Sequence, residues 1–402
     1  MPKGERVKGI RSRGRGWAWG GILLVFPLFL QAAETPAPRP RPLRVILMIG
    51  DGMGLPTVAH AHYYHFGADG FQPLAMESLP VGGLAYTHSK DHVVTDSAAA
   101  ATALFSGCKT RNGMLGLDAE GKPAPTLLEE ARAAGLAAGV ISTAPLTHAT
   151  PAGTYAHVRD RKDFAGIFGW LLKNRPEVAI GWGGGPQSPY LPADYAQKAG
   201  AAGYRVCRSA GELGQSRSLP VLLVFEGDHH GAESSSAENP GEPRLDHLVT
   251  QTLDLLDQDP QGFFLMVEGG IIDWANHDNN LKDAVAMTLD FDRSVEAVKQ
   301  WVDAHGGWGR TLLVVTADHE TGELAVRNPD GAKSEEDARA DEPAGALRPG
   351  TYAGSAYGSE DHSAMPVPVF SKGMGSAGLA GVFDNTRIHD VIRSVLLPRK
   401  KK

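Results

Sequence analysis

Cysteine is scarce: the chain has two, Cys108 and Cys207, in 402 residues. That excludes a disulfide framework and leaves either a single bridge or two small buried thiols. Positive charge is also in deficit. Lys and Arg number 39 against 46 Asp and Glu, for a net charge of −7. Such a balance disfavours nucleic acid as the main partner. Long apolar runs are missing too. The stretch Trp17–Leu30 is interrupted by Gly20, Gly21 and Pro27, and it falls short of the roughly 20 residues of a membrane span. A basic head, "MPKGERVKGIRSRGRG", precedes it and "QAAE" follows. This order predicts an export signal over residues 1–33, removed near Ala33, and a periplasmic or secreted protein. A retained anchor is the alternative, and the shortness of the run counts against it. The head has no adjacent arginine pair, so a twin-arginine route gains little support. Residues 1–33 carry six Lys/Arg and one acid, so their removal takes the charge from −7 to −12. An anionic substrate must then be drawn by a local positive centre against the overall field, which points to metal ions.

What is present begins with a proline-rich tether, "ETPAPRPRP", at residues 34–42. The remaining chain, about 360 residues, would by length alone make two or three domains. The strands argue for one. "RVILMIGDGMG" is a buried-strand pattern ending at Asp51. "GFFLMVEGG" ends at Glu268, "TLLVVTADHETG" at Asp318 and His319, and "AAGVISTAPLTHATP" leads to His148 and Thr150. Continuous apolar runs of this length suit strands covered on both faces. Helical patterns such as "APTLLEEARAAGL" and "LKDAVAMTLDFDRSVEAVKQWVDAH" alternate with them. The expected fold is α/β: a mostly parallel central sheet flanked by helices on both faces.

Ligands of such sheets sit beyond the carboxyl ends of the strands. Asp51 or Glu268 alone, each followed by glycine, reads as a turn former. Acids ending three apolar runs read differently, because crowded carboxylates repel unless something positive lies between them. Asp273 and His277, in "EGGIIDWANHDNN", are spaced i, i+4 and share one helix face, a good partial zinc set. Asp318 and His319 can both reach an ion if the chain leaves the strand at "HETG". Glu268, Thr150 and a share of Asp51 form an oxygen-rich remainder suited to a hard ion such as magnesium. His60, His62 and His65, and His229 with His230, lack a carboxylate at a strand end beside them and are set aside as surface or core histidines. Finally, "VVTDSAAAATALFSG" places Ser97 at the head of an alanine run. A serine there is ordinarily an N-cap; the same helix end also favours an anion, so it could equally carry a nucleophile.

The blocks "GDGMG", "TDSAAAATA", "THATPAGTYAHVRDR", "VEGGIIDWANH", "VVTADHETG" and "EDHSAMPVPVF" resemble, in order, the signature blocks of the alkaline phosphatases. They span roughly residues 44–390. The resemblance implies one large domain, here residues 43–398, with a variable crown-type insertion. The acid- and Gly-rich stretch at 328–358 fits that insertion and reads as exposed. It further implies phosphate monoesters as substrates, a phosphoserine on Ser97, two zinc ions, one magnesium ion and a homodimer. Carried over by position, Asp51, Asp318 and His319 hold the zinc beside Ser97. Asp273, His277 and His362 hold the other. Asp51, Thr150 and Glu268 hold the magnesium. Arg161 forks two phosphate oxygens and Asp96 orients it. His389 is a rival to His362, but it lies in a helix-like segment and matches no block. Two positions depart from the best-known bacterial pattern: His148 stands where that pattern has aspartate, and Trp274 where it has lysine. A histidine at 148 can bind the third ion directly. Losing the lysine is expected to change phosphate affinity and pH optimum. A phosphodiesterase or sulfatase on the same scaffold is the alternative enzyme. It is disfavoured by the pairing of Ser97 with Arg161 and by the lack of a "CxPxR"-type block. A binding protein with a dead site would have lost a ligand, and none is lost.

Overall fold

The computed structural model describes residues 42–68, 71–227, 243–328 and 347–397. The expected export segment 1–33, the tether up to residue 41, His229, His230 and residues 329–346 of the insertion lie outside the described residues. Ten strands form one sheet. They are β1 (Leu43–Gly50), β2 (Val81–Tyr86), β3 (Ala137–Pro145), β4 (Val178–Gly184), β5 (Arg205–Cys207), β6 (Val221–Glu226), β7 (Gly262–Gly269), β8 (Thr311–Ala317), β13 (Val367–Gly373) and β14 (Gly381–Asp384). Between β8 and β13 lie two small ribbons. One pairs β9 (Glu320–Thr321) with β12 (His362–Ser363), the other β10 (Ala325–Arg327) with β11 (Gly354–Ala356).

The sheet order is β14-β2-β13-β8-β1-β7-β3-β4-β6-β5. Every neighbouring pair is parallel except those that β13 makes with β2 and β8. All residues of β1, β3, β7 and β8 are buried, as strands covered on both faces require. The helices Leu55–Phe66, Leu245–Leu256 and Leu281–Ala304 pack together as one group. Ser97–Ser106, Leu127–Ala133 and Thr386–Leu396 pack as another. The α/β expectation therefore holds, and the described residues do not divide into further compact units. Among them no helix is long and apolar enough to cross a membrane.

The alanine run has a packing explanation. Ala98 to Ala101 and Ala103 are buried, so the helix Ser97–Ser106 can lie close to its neighbours. Both cysteines are free, Cys207 buried and Cys108 half-buried. His389 sits in the helix Thr386–Leu396 and is buried there, close against Gly107. The described last part of the expected exposed insertion, residues 347–358, is exposed at about half of its positions and anchored at a few others. Leu347 and Ala353 are buried, the Tyr352 ring lies 4.5 Å from that of Tyr64, and Tyr357 donates to Asn276 Oδ1 at 3.2 Å. Its apolar and aromatic residues anchor it where the overall composition pointed to solvent.

Candidate active site

The four middle strands β8, β1, β7 and β3 are adjacent and parallel. Their carboxyl ends deliver Asp318 with His319, Asp51, Glu268, and the turn that bears His148 and Thr150. Gly50 stands opposite both Gly269 and Ala317, so the acids emerge side by side. The turn after β1 requires glycine at position 52. Its φ is +66°, and a Cβ there would come within 2.7 Å of Asp273 Oδ1 and Thr321 Oγ1.

Three donor groups result. Asp51, Asp318 and His319 converge, as do Asp51, His148 and Glu268, and Asp273, His319 and His362. His277 joins the last of these, its Nε2 lying 3.3 Å from Asp273 Oδ2 and 3.1 Å from His362 Nε2. His362 Nε2 lies 3.7 Å from Asp273 Oδ1. Thr150 Oγ1 donates to Asp51 Oδ2 at 3.1 Å. All nine residues expected to bind metal thus meet at one place.

Ser97 is not the N-cap. Asp96 caps the helix, accepting from the Ala99 N–H at 2.9 Å. Ser97 becomes the first helical residue, and its hydroxyl is left for the site: Oγ lies 3.1 Å from His319 Nε2. The second carboxylate oxygen of Asp96 accepts from Arg161 Nη1 at 3.1 Å. Arg161 Nη2 reaches to 3.4 Å from His148 Nε2.

The electrostatics call for cations. Burial, reinforced by neighbouring carboxylates, raises Asp51 well above its ordinary range, Glu268 to about 8 and Asp318 to about 7. Burial and then Arg161 push His148 down to about 3. Burial and then His362 lower His319. The hydrogen bond with Asp273 lifts His277 to about 9. For Asp273 itself burial pulls upward, but His277, His319 and His362 hold it below the usual carboxylate range.

Three of the site's buried polar atoms make no hydrogen bond: His148 Nδ1, Glu268 Oε1 and Asp51 Oδ1, the last lying 3.4 Å from His319 Nε2. They belong to one donor group, and such orphans demand an occupant. The imidazoles say the same. His362 Nδ1 faces the Thr95 carbonyl at 2.9 Å, and His277 Nδ1 faces that of Glu360. Each Nδ1 therefore carries its proton, which turns two Nε2 lone pairs toward each other unless a proton or a metal ion lies between them.

Sequence reasoning missed the supports. Ser142 donates to Glu268. Thr321 Oγ1 donates to Asp273 Oδ1 at 2.5 Å; its "HETG" setting had marked only a turn. Trp274 is half-buried, its ring edge-on to His148 at 5.8 Å.

This geometry agrees with what the chain is similar to. The alkaline phosphatase family model matches residues 43–168 and 193–333. The alkaline phosphatase of Escherichia coli (strain K12) is 31% identical, over 84% of this chain and 83% of that one. The streptomycin-6-phosphate phosphatase of Streptomyces griseus is 32% identical, over 84% and 87%. The solved alkaline phosphatase of the Antarctic bacterium TAB5 superimposes with a TM-score of 0.73 at 26% identity, over 89% of this chain and 98% of that one. A histidine-to-aspartate variant of that enzyme is described with magnesium bound in its M3 site. With buried acids, imidazoles, a serine and an arginine converging at the strand ends of a matching fold, the chain belongs to the alkaline phosphatase family and is a phosphoric monoester hydrolase.

Proposed function

We propose that this protein is exported to the periplasm or beyond. There, as a homodimer, it hydrolyses phosphate monoesters through a phosphoserine on Ser97, with two zinc ions and one magnesium ion. The observation that carries the reading is the position of the Ser97 hydroxyl, at a helix N-terminus and against His319, with the preceding residue, Asp96, bonded to Arg161. Asp51, Asp318 and His319 would hold one zinc and Asp273, His277 and His362 the other. Asp51, Glu268, Thr150 and His148 would hold the magnesium. When bound, the ions supply Lewis-acid stabilisation of the serine alkoxide and the leaving oxygen.

The chain's own groups do the rest. Arg161, braced by Asp96, binds two non-bridging phosphate oxygens through its planar fork. The helix end beneath Ser97 favours the phosphate's negative charge. Ser97 Oγ bonds to phosphorus, the ester P–O bond breaks, and the alcohol leaves with a proton. Water then cleaves the phosphoserine, releasing inorganic phosphate and restoring the hydroxyl.

Comparing p-nitrophenyl phosphate with its bis ester tests the assignment. The monoester is expected to turn over much faster, and a preference for the diester would overturn it. Arg161→Lys keeps the charge and loses the fork. It is expected to raise KM and the inhibition constant of inorganic phosphate by about tenfold, with less change in kcat. The third donor group gives another prediction. His148→Asp makes it all-oxygen, which suits magnesium better, as the magnesium-bound variant of the TAB5 enzyme supports. Calorimetry is expected to show magnesium binding about tenfold tighter or more; unchanged affinity would remove His148 from the group.

A further inference from the structure

We propose that Asn112 is a positioning residue for Arg161, acting through Asp96. The inference rests on the reading that Arg161 binds the substrate phosphate. Asn112 grips the chain just ahead of the nucleophile on two sides. Its Oδ1 accepts from the Asp96 N–H at 3.2 Å, and its Nδ2 donates to the Val94 carbonyl at 3.1 Å. Its own N–H donates to Asp91 Oδ1 at 3.1 Å.

The next residue completes the clamp. The Gly113 N–H donates to Asp96 Oδ2 at 2.9 Å, the same oxygen that accepts from Arg161 Nη1 at 3.1 Å. The Gly113 carbonyl accepts from the Arg161 N–H at 2.8 Å. Gly113 therefore holds Arg161 at its backbone and, through Asp96, at its guanidinium. Its φ of +87° is one that L side chains rarely adopt. Asp96 Oδ1 is already committed to the helix cap. Only Oδ2 is left to fix the arginine, and its aim depends on the Asn112–Gly113 turn. A guanidinium that must meet two phosphate oxygens at once tolerates little misplacement.

The test is a double-mutant comparison on the purified enzyme. Asn112→Ala is measured in the wild-type and in the Arg161→Ala background, with p-nitrophenyl phosphate as substrate and inorganic phosphate as inhibitor. In the wild-type background kcat/KM is expected to fall by about tenfold and phosphate inhibition to weaken by about fivefold. In the Arg161→Ala background both effects are expected to shrink below about twofold, because the group being positioned is gone. Equal losses in the two backgrounds would mean that Asn112 serves the fold alone, and no loss in either would dismiss it. Arg161→Ala by itself reports separately on the reading of the arginine. Where Asn112→Ala folds poorly, Asn112→Asp carries the same comparison: it keeps an oxygen for the Asp96 N–H and loses the donor to the Val94 carbonyl.

Discussion

Replacing Ser97 with alanine is expected to lower kcat for p-nitrophenyl phosphate by at least about a thousandfold while leaving the fold intact. The capping geometry separates the two effects. Asp96 makes the cap hydrogen bond to Ala99, so removing the Ser97 hydroxyl takes away no cap. The contact that disappears is the one to His319 Nε2 at 3.1 Å. Loss of a single hydrogen bond changes stability by about 1 kcal/mol. A serine that merely capped the helix would cost a comparable amount of stability on replacement but leave turnover unchanged. The kcat of Ser97→Ala therefore distinguishes the two roles, with the melting temperature checking that the variant is folded.

Removing the metal ions is expected to abolish turnover and to make stability depend on pH in a particular direction. Asp51 belongs to two of the three donor groups. His319 shares that property, so Asp51→Asn and His319→Ala are expected to mimic chelation more closely than changes at the ligands that serve one group each. In the metal-free protein, burial raises Glu268 to about 8 and Asp318 to about 7, and the hydrogen bond with Asp273 lifts His277 to about 9. Each value lies above that of the unfolded chain, so the folded state holds protons that the unfolded state releases. The associated stability is lost as pH rises through these values. Below about pH 6.5, the ordinary histidine value, His148 and His319, both lowered by burial, act in the opposite sense. Between about pH 6.5 and 9, the EDTA-treated protein is expected to lose stability, read as a melting temperature that falls steadily as pH rises. The metal-loaded protein is expected to stay nearly level over the same range. Metal binding to the stripped protein at pH 7 is expected to release protons, seen as a dependence of the calorimetric enthalpy on the buffer. A stripped protein whose stability rises over this window would contradict the picture of buried, uncompensated carboxylates.

Much of this site could be read in the chain before it folded, because the strands that build it are buried on both faces. Such strands appear in sequence as unbroken apolar runs, so the acids that end them stand out: Asp51 after β1, Glu268 at the end of β7, Asp318 after β8. The pairing of His277 with His362 could not be read from spacing. It depends on the ribbon of β9 and β12, which brings residue 362 back beside the end of β8, and only the resemblance of "EDHSAMPVPVF" pointed to it. The supports were illegible for another reason. Ser142, Thr321 and Asn112 each act through one or two hydrogen bonds, and hydroxyls and amides at turns have many ordinary uses. The cap was misplaced by one residue because aspartate and serine cap helices about equally well. At 347–358 a glycine-rich run that follows an acidic stretch masked a few anchoring residues, Leu347, Tyr352 and Tyr357.

The most direct test is the metal content of the purified protein, determined alongside turnover as extracted ions are restored. Two zinc ions and one magnesium ion per chain are expected, with no measurable turnover after extraction and recovery only when both metals return. Full turnover by the metal-free protein, or recovery independent of Asp51 and His319, would show that the buried cluster around Ser97 is not what makes its hydroxyl reactive.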